Sequence, residues 1–168
     1  PYRTQRPHEA SALTPPPNFA PAPSTPSPSP ADSRSAPAPR ELAVLMVEDS
    51  ESDALLVLRA LRRAGFALRH RRVEDGAGMR AALAGERWDV VLSDFNLPGF
   101  DARSALAELH ASGLDLPFIV VSGTIGDEIA IELMRRGAHD YLMKENLARL
   151  APAIERELGE ARVRAERR

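Results

Sequence analysis

Val44-Leu45-Met46-Val47 runs straight into Glu48-Asp49-Ser50, and Val90-Val91-Leu92-Ser93 runs straight into Asp94-Phe95-Asn96-Leu97-Pro98-Gly99. Neither apolar run alternates with polar residues. A strand covered on both faces requires that pattern, and such strands belong to parallel sheets flanked by helices. Both runs end in carboxylates. The first extends over Leu42 to Val47, and the segment after it, Ser50 to Ala64, carries Leu55, Leu58 and Leu61 at helical spacing before Gly65 stops it. A strand, an acidic end and an amphipathic helix in that order make one βα unit.

Four more units follow. Phe66 to Val73 sets Phe66 and Leu68 against Arg69 and Arg71, which suits an edge strand, and Ala77 to Leu83 reads as a short helix ended near Gly85. Trp88 to Ser93 is the third strand, with Trp88 as core or rim packing, and Ala102 to Ala111 is its helix. Pro117 to Ser122 is the fourth strand, Asp127 to Arg136 its helix closed by Gly137, and Ala138 to Met143 the fifth strand. The last helix is expected from near Pro152, read as a proline of the first helical position, through Ile154 and Leu158. Five units between residues 41 and 158 predict an α/β fold, a flavodoxin-like (βα)5 doubly wound parallel sheet of strand order 2-1-3-4-5. The length excludes an eight-unit barrel.

The remainder of the 168 residues differs in kind. Twelve of the 15 prolines precede residue 41, in a Pro/Ala/Ser-rich stretch with almost nothing to bury. Residues 1–40 are therefore expected to be a disordered leader serving as a tether, with a PxxP ligand as the sharper and rarer reading. The folded α/β domain is expected over 41–158, and 159–168 as a helical extension or linker. A net charge of -2 leaves no electrostatic footprint for nucleic acid, which is not expected as a partner. With no cysteine there is no disulfide framework or thiolate nucleophile, and a cytoplasmic location is expected. Apolar runs of six to eight residues cannot span a bilayer, so no membrane association is expected.

In doubly wound sheets ligands bind beyond the carboxyl ends of the strands. Strand one ends in Glu48-Asp49, strand three in Asp94, strand four in Ser122 and strand five in Lys144. An acidic residue after a strand is usually a turn former or a helix cap. Three carboxylates, a hydroxyl and an ammonium in one cleft are another matter, because like charges repel unless something binds among them. Oxygen donors without His or Cys ask for a hard cation, and a few carboxylates with retained waters suit Mg2+ better than Ca2+.

The segments Val44 to Ser50, Val90 to Gly99, Ile119-Val120-Val121-Ser122-Gly123-Thr124 and Asp140-Tyr141-Leu142-Met143-Lys144 resemble, in order, the receiver domains of two-component response regulators. The separations of Asp94, Ser122 and Lys144 agree with that family. The resemblance implies that Asp94 is the phosphoacceptor, attacking a phosphohistidine or a small acyl phosphate to give an aspartyl phosphate. It implies that Asp49, Asp94 and the backbone carbonyl of Asn96 ligate Mg2+, with Glu48 acting through a metal-bound water. Lys144 and the Ser122 hydroxyl would contact phosphoryl oxygens, and Gly123 would leave access for the group. Ser122 and Tyr141 would be the switch pair, biasing the face of the fourth helix, fifth strand and fifth helix. Implied partners are a histidine kinase or histidine phosphotransfer protein and a downstream output domain or effector. The chain is expected not to be an enzyme beyond its own phosphoryl transfer and hydrolysis.

Two departures stand out. Glu145 follows Lys144 where the family usually has a cis proline, so the loop is either trans and differently shaped or strained. Ser122-Gly123-Thr124-Ile125-Gly126-Asp127-Glu128 looks like receivers at the front of PAS, histidine kinase or diguanylate cyclase sensors. At the C-terminus Leu147, Ala151, Ile154, Leu158, Ala161 and Ala165 step by four and three. A core-facing stripe with a frayed tail and a signalling helix or homodimer seam both fit. His8, His70, His110 and His139 lack metal-ligand spacing and a phosphoacceptor-helix context, which places the donor histidine elsewhere. A dinucleotide or flavin enzyme would want a glycine-rich loop where Glu48-Asp49-Ser50-Glu51 stands. A pseudo-receiver acting only as an interaction module is the alternative within the family, although such chains normally lack one of Asp94, Lys144 or the acidic pair.

Overall fold

The computed structural model describes residues 37–124 and 126–168. The leader therefore lies almost wholly outside the described residues, as does Ile125. Five strands form one parallel sheet: β1 (Arg40–Val47), β2 (Phe66–Val73), β3 (Val90–Ser93), β4 (Phe118–Ser122) and β5 (Asp140–Met143). Their order is β2-β1-β3-β4-β5, all pairs parallel, as a doubly wound sheet demands. Between them run α1 (Glu51–Arg63), α2 (Gly76–Gly85), α3 (Ala102–Ser112) and α4 (Asp127–Arg135), and α5 (Leu150–Glu166) closes the chain.

Side chains of β1 alternate between two apolar layers, which explains why its sequence does not alternate. Ala43, Leu45 and Val47 join the layer under α2, α3 and α4, while Leu42, Val44 and Met46 join the layer under α1 and α5. Burying a side chain such as Leu45 contributes on the order of 1.5–3 kcal/mol. β2 is an edge strand, and only its ends, Phe66 and Val73, are buried. In α1 the buried stripe is Ala54, Val57, Leu58 and Leu61. Leu55 is 51% exposed, against the expectation from its spacing to Leu58, because the i, i+3, i+4, i+7 set that faces the sheet starts one residue earlier.

The last helix also departs from expectation. Lys144–Arg149 forms a 3₁₀ segment after β5, and α5 starts at Leu150, so Pro152 is the third helical residue. That position is tolerated because the first four helical N–H groups lack partners inside the helix anyway. The Lys144–Glu145 peptide is trans. Ile154 is fully buried and Leu147, Ala151 and Leu158 pack on the same layer, so this part of the apolar seam faces the chain's own core. The tail beyond it is tied down, since Arg164 and Arg168 both reach Asp115 in the loop before β4. Gly65 and Gly137, with φ of 96° and 110°, take the left-handed conformation that lets the chain leave α1 and α4.

Candidate functional site

The ladder sets the site. Hydrogen bonds from Glu48 N to Val73 O and from Asp94 N to Val47 O extend the pairing of β1 one residue past its end, at 3.1 and 2.8 Å. The side chains of Glu48, Asp49 and Asp94 thereby share the carboxyl end of the sheet, each offering an oxygen within 4.8 Å of the others. Among the described residues this is the one such cluster of metal-ligating side chains. Asp49 is exposed, Asp94 partly buried and Glu48 buried.

Lys144, at the end of β5, crosses the cleft. Its ammonium donates to Glu48 Oε2 at 2.8 Å, Asp53 Oδ2 at 2.8 Å and Asp94 Oδ2 at 3.2 Å. The other Asp94 oxygen accepts from Phe95 N at 2.7 Å, so both oxygens of that carboxylate are directed. Glu48 Oε1 accepts from Ser50 N at 3.0 Å, and Arg72 donates to the backbone carbonyls of Glu48 and Asp49. Burial raises the pKa of Glu48 above the ordinary value of 4.5, and the hydrogen bonds from Lys144 and Ser50 only partly oppose it. Burial pushes Lys144 down, but its bonds to Asp53 and Glu48 outweigh that and leave it above the ordinary lysine range. The ammonium is therefore fully charged at neutral pH.

Ser122 is the last residue of β4, buried and in register with Met143. A Cβ at Gly123 would meet no protein atom within 4 Å, so there is open space beside Ser122. Asn96 is exposed, two residues beyond Asp94. Tyr141 is half-buried against the layer under α4, and its hydroxyl contacts Met143 Sδ at 3.2 Å. The structure thus brings Glu48, Asp49, Asp94 and Lys144 into one group, with Ser122 and Tyr141 on the neighbouring strands.

Asp53 is the participant that sequence patterns hide. An acid in the first turn of α1, three residues after the capping Ser50, reads as a helix-dipole partner. A second signal was available, because Lys144 is the sole lysine among 22 cationic side chains. Arginine offers a planar fork, whereas a compact ammonium suits three acceptors converging on one point. Trp88, by contrast, sits at the amino end of the sheet, 6% exposed with its indole N–H on Ala82 O at 2.9 Å. Six residues of extended chain separate it from Asp94, roughly 20 Å, so its fluorescence reports on the cleft only weakly.

A family model for the response regulator receiver domain matches residues 44–155. The chain is 35% identical over 101 residues to the DNA-binding transcriptional regulator NtrC of Escherichia coli K12, a match covering 60% of this chain and 21% of NtrC. It is 33% identical over 101 residues to the transcriptional regulator PrrA of Mycobacterium tuberculosis, covering 60% of this chain and 42% of PrrA. The chain therefore spans less than half the length of these relatives. Among solved structures, the receiver domain of the sensor histidine kinase PA1611 of Pseudomonas aeruginosa, with a magnesium ion coordinated in its active-site cleft, aligns with TM-score 0.61 and 28% identity. That alignment covers 71% of this chain and 98% of the other. The signal receiver domain of a LuxO repressor from Vibrio parahaemolyticus, at TM-score 0.65 and 24% identity over 74% of this chain and 95% of that one, shares the fold. Sheet order, the acidic cleft bridged by a lysine and the matched family model agree: this chain belongs to the receiver domains of response regulators, the phosphoacceptors of two-component signalling.

Proposed function

We propose that Asp94 is the phosphoacceptor and that the receiver takes its phosphoryl group from a histidine kinase or histidine phosphotransfer protein. The observation that carries this is Lys144 held across the cleft, with Asp94 tethered on both oxygens and 12% exposed. An Asp94 oxygen attacks phosphorus, the P–N bond of the donor phosphohistidine breaks, and the imidazole leaves with a proton from solvent. Lys144 then follows the charge, exchanging its Asp94 contact for a phosphoryl oxygen. Ser122, one strand away and buried, offers its hydroxyl to another oxygen, and the space beside Gly123 admits the group.

The donor set fits Mg2+: Glu48, Asp49 and Asp94 supply hard oxygens, with Glu48 suited to act through water and the Asn96 carbonyl as a further ligand. When bound, the ion neutralises charge developing on the transferred group. The metal-bearing cleft of the 28% identical PA1611 receiver supports this assignment.

Output passes through Ser122 and Tyr141 to the face of α4, β5 and α5. In support, Ile131 and Met134 of α4 are 51% and 43% exposed, an apolar surface ready for an output domain, an effector or a second copy of the chain. The chain acts as a signalling switch, with turnover limited to its own phosphorylation and dephosphorylation. Incubation with acetyl phosphate and Mg2+ followed by intact-mass measurement tests the central role. One added phosphoryl group, labile to hydroxylamine and absent from Asp94→Asn, is expected. A parent chain that stays unmodified would leave the pseudo-receiver reading.

A further inference from the structure

We propose that Asp53 is a positioning residue for Lys144: it fixes one of the three ammonium N–H bonds so that another is aimed at the phosphoryl group on Asp94. The proposal rests on the roles given above to Asp94 and Lys144.

An ammonium has three donors and no acceptor. Here the three acceptors are Glu48 at 2.8 Å, Asp53 at 2.8 Å and Asp94 at 3.2 Å. The two short contacts go to residues that do not receive the phosphoryl group, and the long one goes to the residue that does. At a tetrahedral nitrogen, two fixed N–H directions determine the third. Glu48 is a shared anchor, because its carboxylate also belongs to the cluster with Asp49 and Asp94. Asp53 lies outside that cluster, so a cation bound there does not compete with Lys144 for its carboxylate.

The backbone of Asp53 is held at the start of α1. Its backbone N–H donates to the Ser50 hydroxyl at 3.2 Å, the cap of α1, and its side chain spans the cleft to a residue 91 positions later. A carboxylate serving only the helix dipole needs no such partner. Use of lysine at this one position agrees, since three acceptors around a point leave an arginine fork without its planar match.

The single lysine makes the test direct. Full chain labelled with ¹⁵N-lysine gives one side-chain ammonium signal, followed with Mg2+ before and after beryllofluoride. The parent is expected to show a sharp, slowly exchanging signal. Asp53→Ala is expected to broaden it and to weaken beryllofluoride binding by about 3–10-fold, the effect of losing one oriented hydrogen bond. Asp53→Glu is expected to recover most of both. Asp53→Asn keeps the shape of the side chain and is the variant to use should Asp53→Ala not fold, with a smaller loss expected. A folded Asp53→Ala with parental signal and parental affinity overturns the positioning role alone. A parent that does not bind beryllofluoride overturns the acceptor assignment and this proposal with it.

Discussion

At the carboxyl end of the sheet Glu48, Asp53 and Asp94 share one ammonium with Asp49 clustered beside them, whereas at its amino end Asp115 alone is held by both Arg164 and Arg168. Four carboxylates against one cation leave a formal excess of three negative charges in the first group. One carboxylate against two cations leaves an excess of one positive charge in the second. The responses of the acids differ in sign. Burial raises Glu48 above its ordinary value, while the Arg164 hydrogen bond holds Asp115 below its own. The amino-end group is complete and serves to pin the end of α5 to the loop before β4. The carboxyl-end group is incomplete, and its repulsion is relieved by what binds there, which is how a site for a cation and a phosphoryl group differs from a structural clamp.

The largest expected difference between the two ends comes from removing a cation. Lys144→Met leaves Glu48, Asp53 and Asp94 without their ammonium and is expected to cost about 2–4 kcal/mol in metal-free urea unfolding, as for other broken buried ion pairs. Added Mg2+ is expected to restore part of that loss. Arg164→Met, where Asp115 keeps Arg168, is expected to cost under about 1 kcal/mol. Equal costs at the two ends would break the comparison.

Acidity separates the ends more finely. Asp115 has its folded pKa below 3.8, so the unfolded chain binds its proton first, and the stability it contributes is present above that value and lost as pH falls through the folded one. Asp115→Asn is therefore expected to cost about 0.5–1 kcal/mol at neutral pH, with parent and variant converging in acid. Glu48 has the opposite sign: its folded pKa lies above 4.5, so its contribution in the metal-free protein declines as pH rises out of that range. Urea unfolding between pH 3 and pH 7 follows both, and a gap between parent and Asp115→Asn that widens in acid would contradict the assignment.

Sequence patterns carry the sheet almost completely, because burial on both faces forces continuous apolar runs, as Leu42 to Val47 shows. They carry Glu48, Asp49, Asp94 and Lys144 as strand-end residues for the same reason, since the sheet order brings those ends together. Phase within a helix is harder to read. Leu55 belongs to an apolar repeat by spacing, yet the stripe that meets the sheet is set by Ala54, whose small side chain gives little signal. The start of α5 was hidden by Pro152, which fits the third helical position as well as the first. Asp53 was hidden because its contact with Lys144 joins residues 91 positions apart and follows from the packing of α1 against the 3₁₀ segment that begins at Lys144, which no local pattern encodes.

Backbone amide spectra of the parent chain and of Asp94→Asn, recorded with Mg2+ before and after beryllofluoride, address the role of the carboxyl-end group most directly. In the parent, beryllofluoride is expected to shift the amides of Phe95, Ser122, Gly123, Tyr141 and Lys144 and to leave those around Asp115 and Arg164 in place. Asp94→Asn is expected to show no such shifts. Parental spectra that do not change, or equal changes in Asp94→Asn, would contradict the assignment of this cleft as the phosphoryl site.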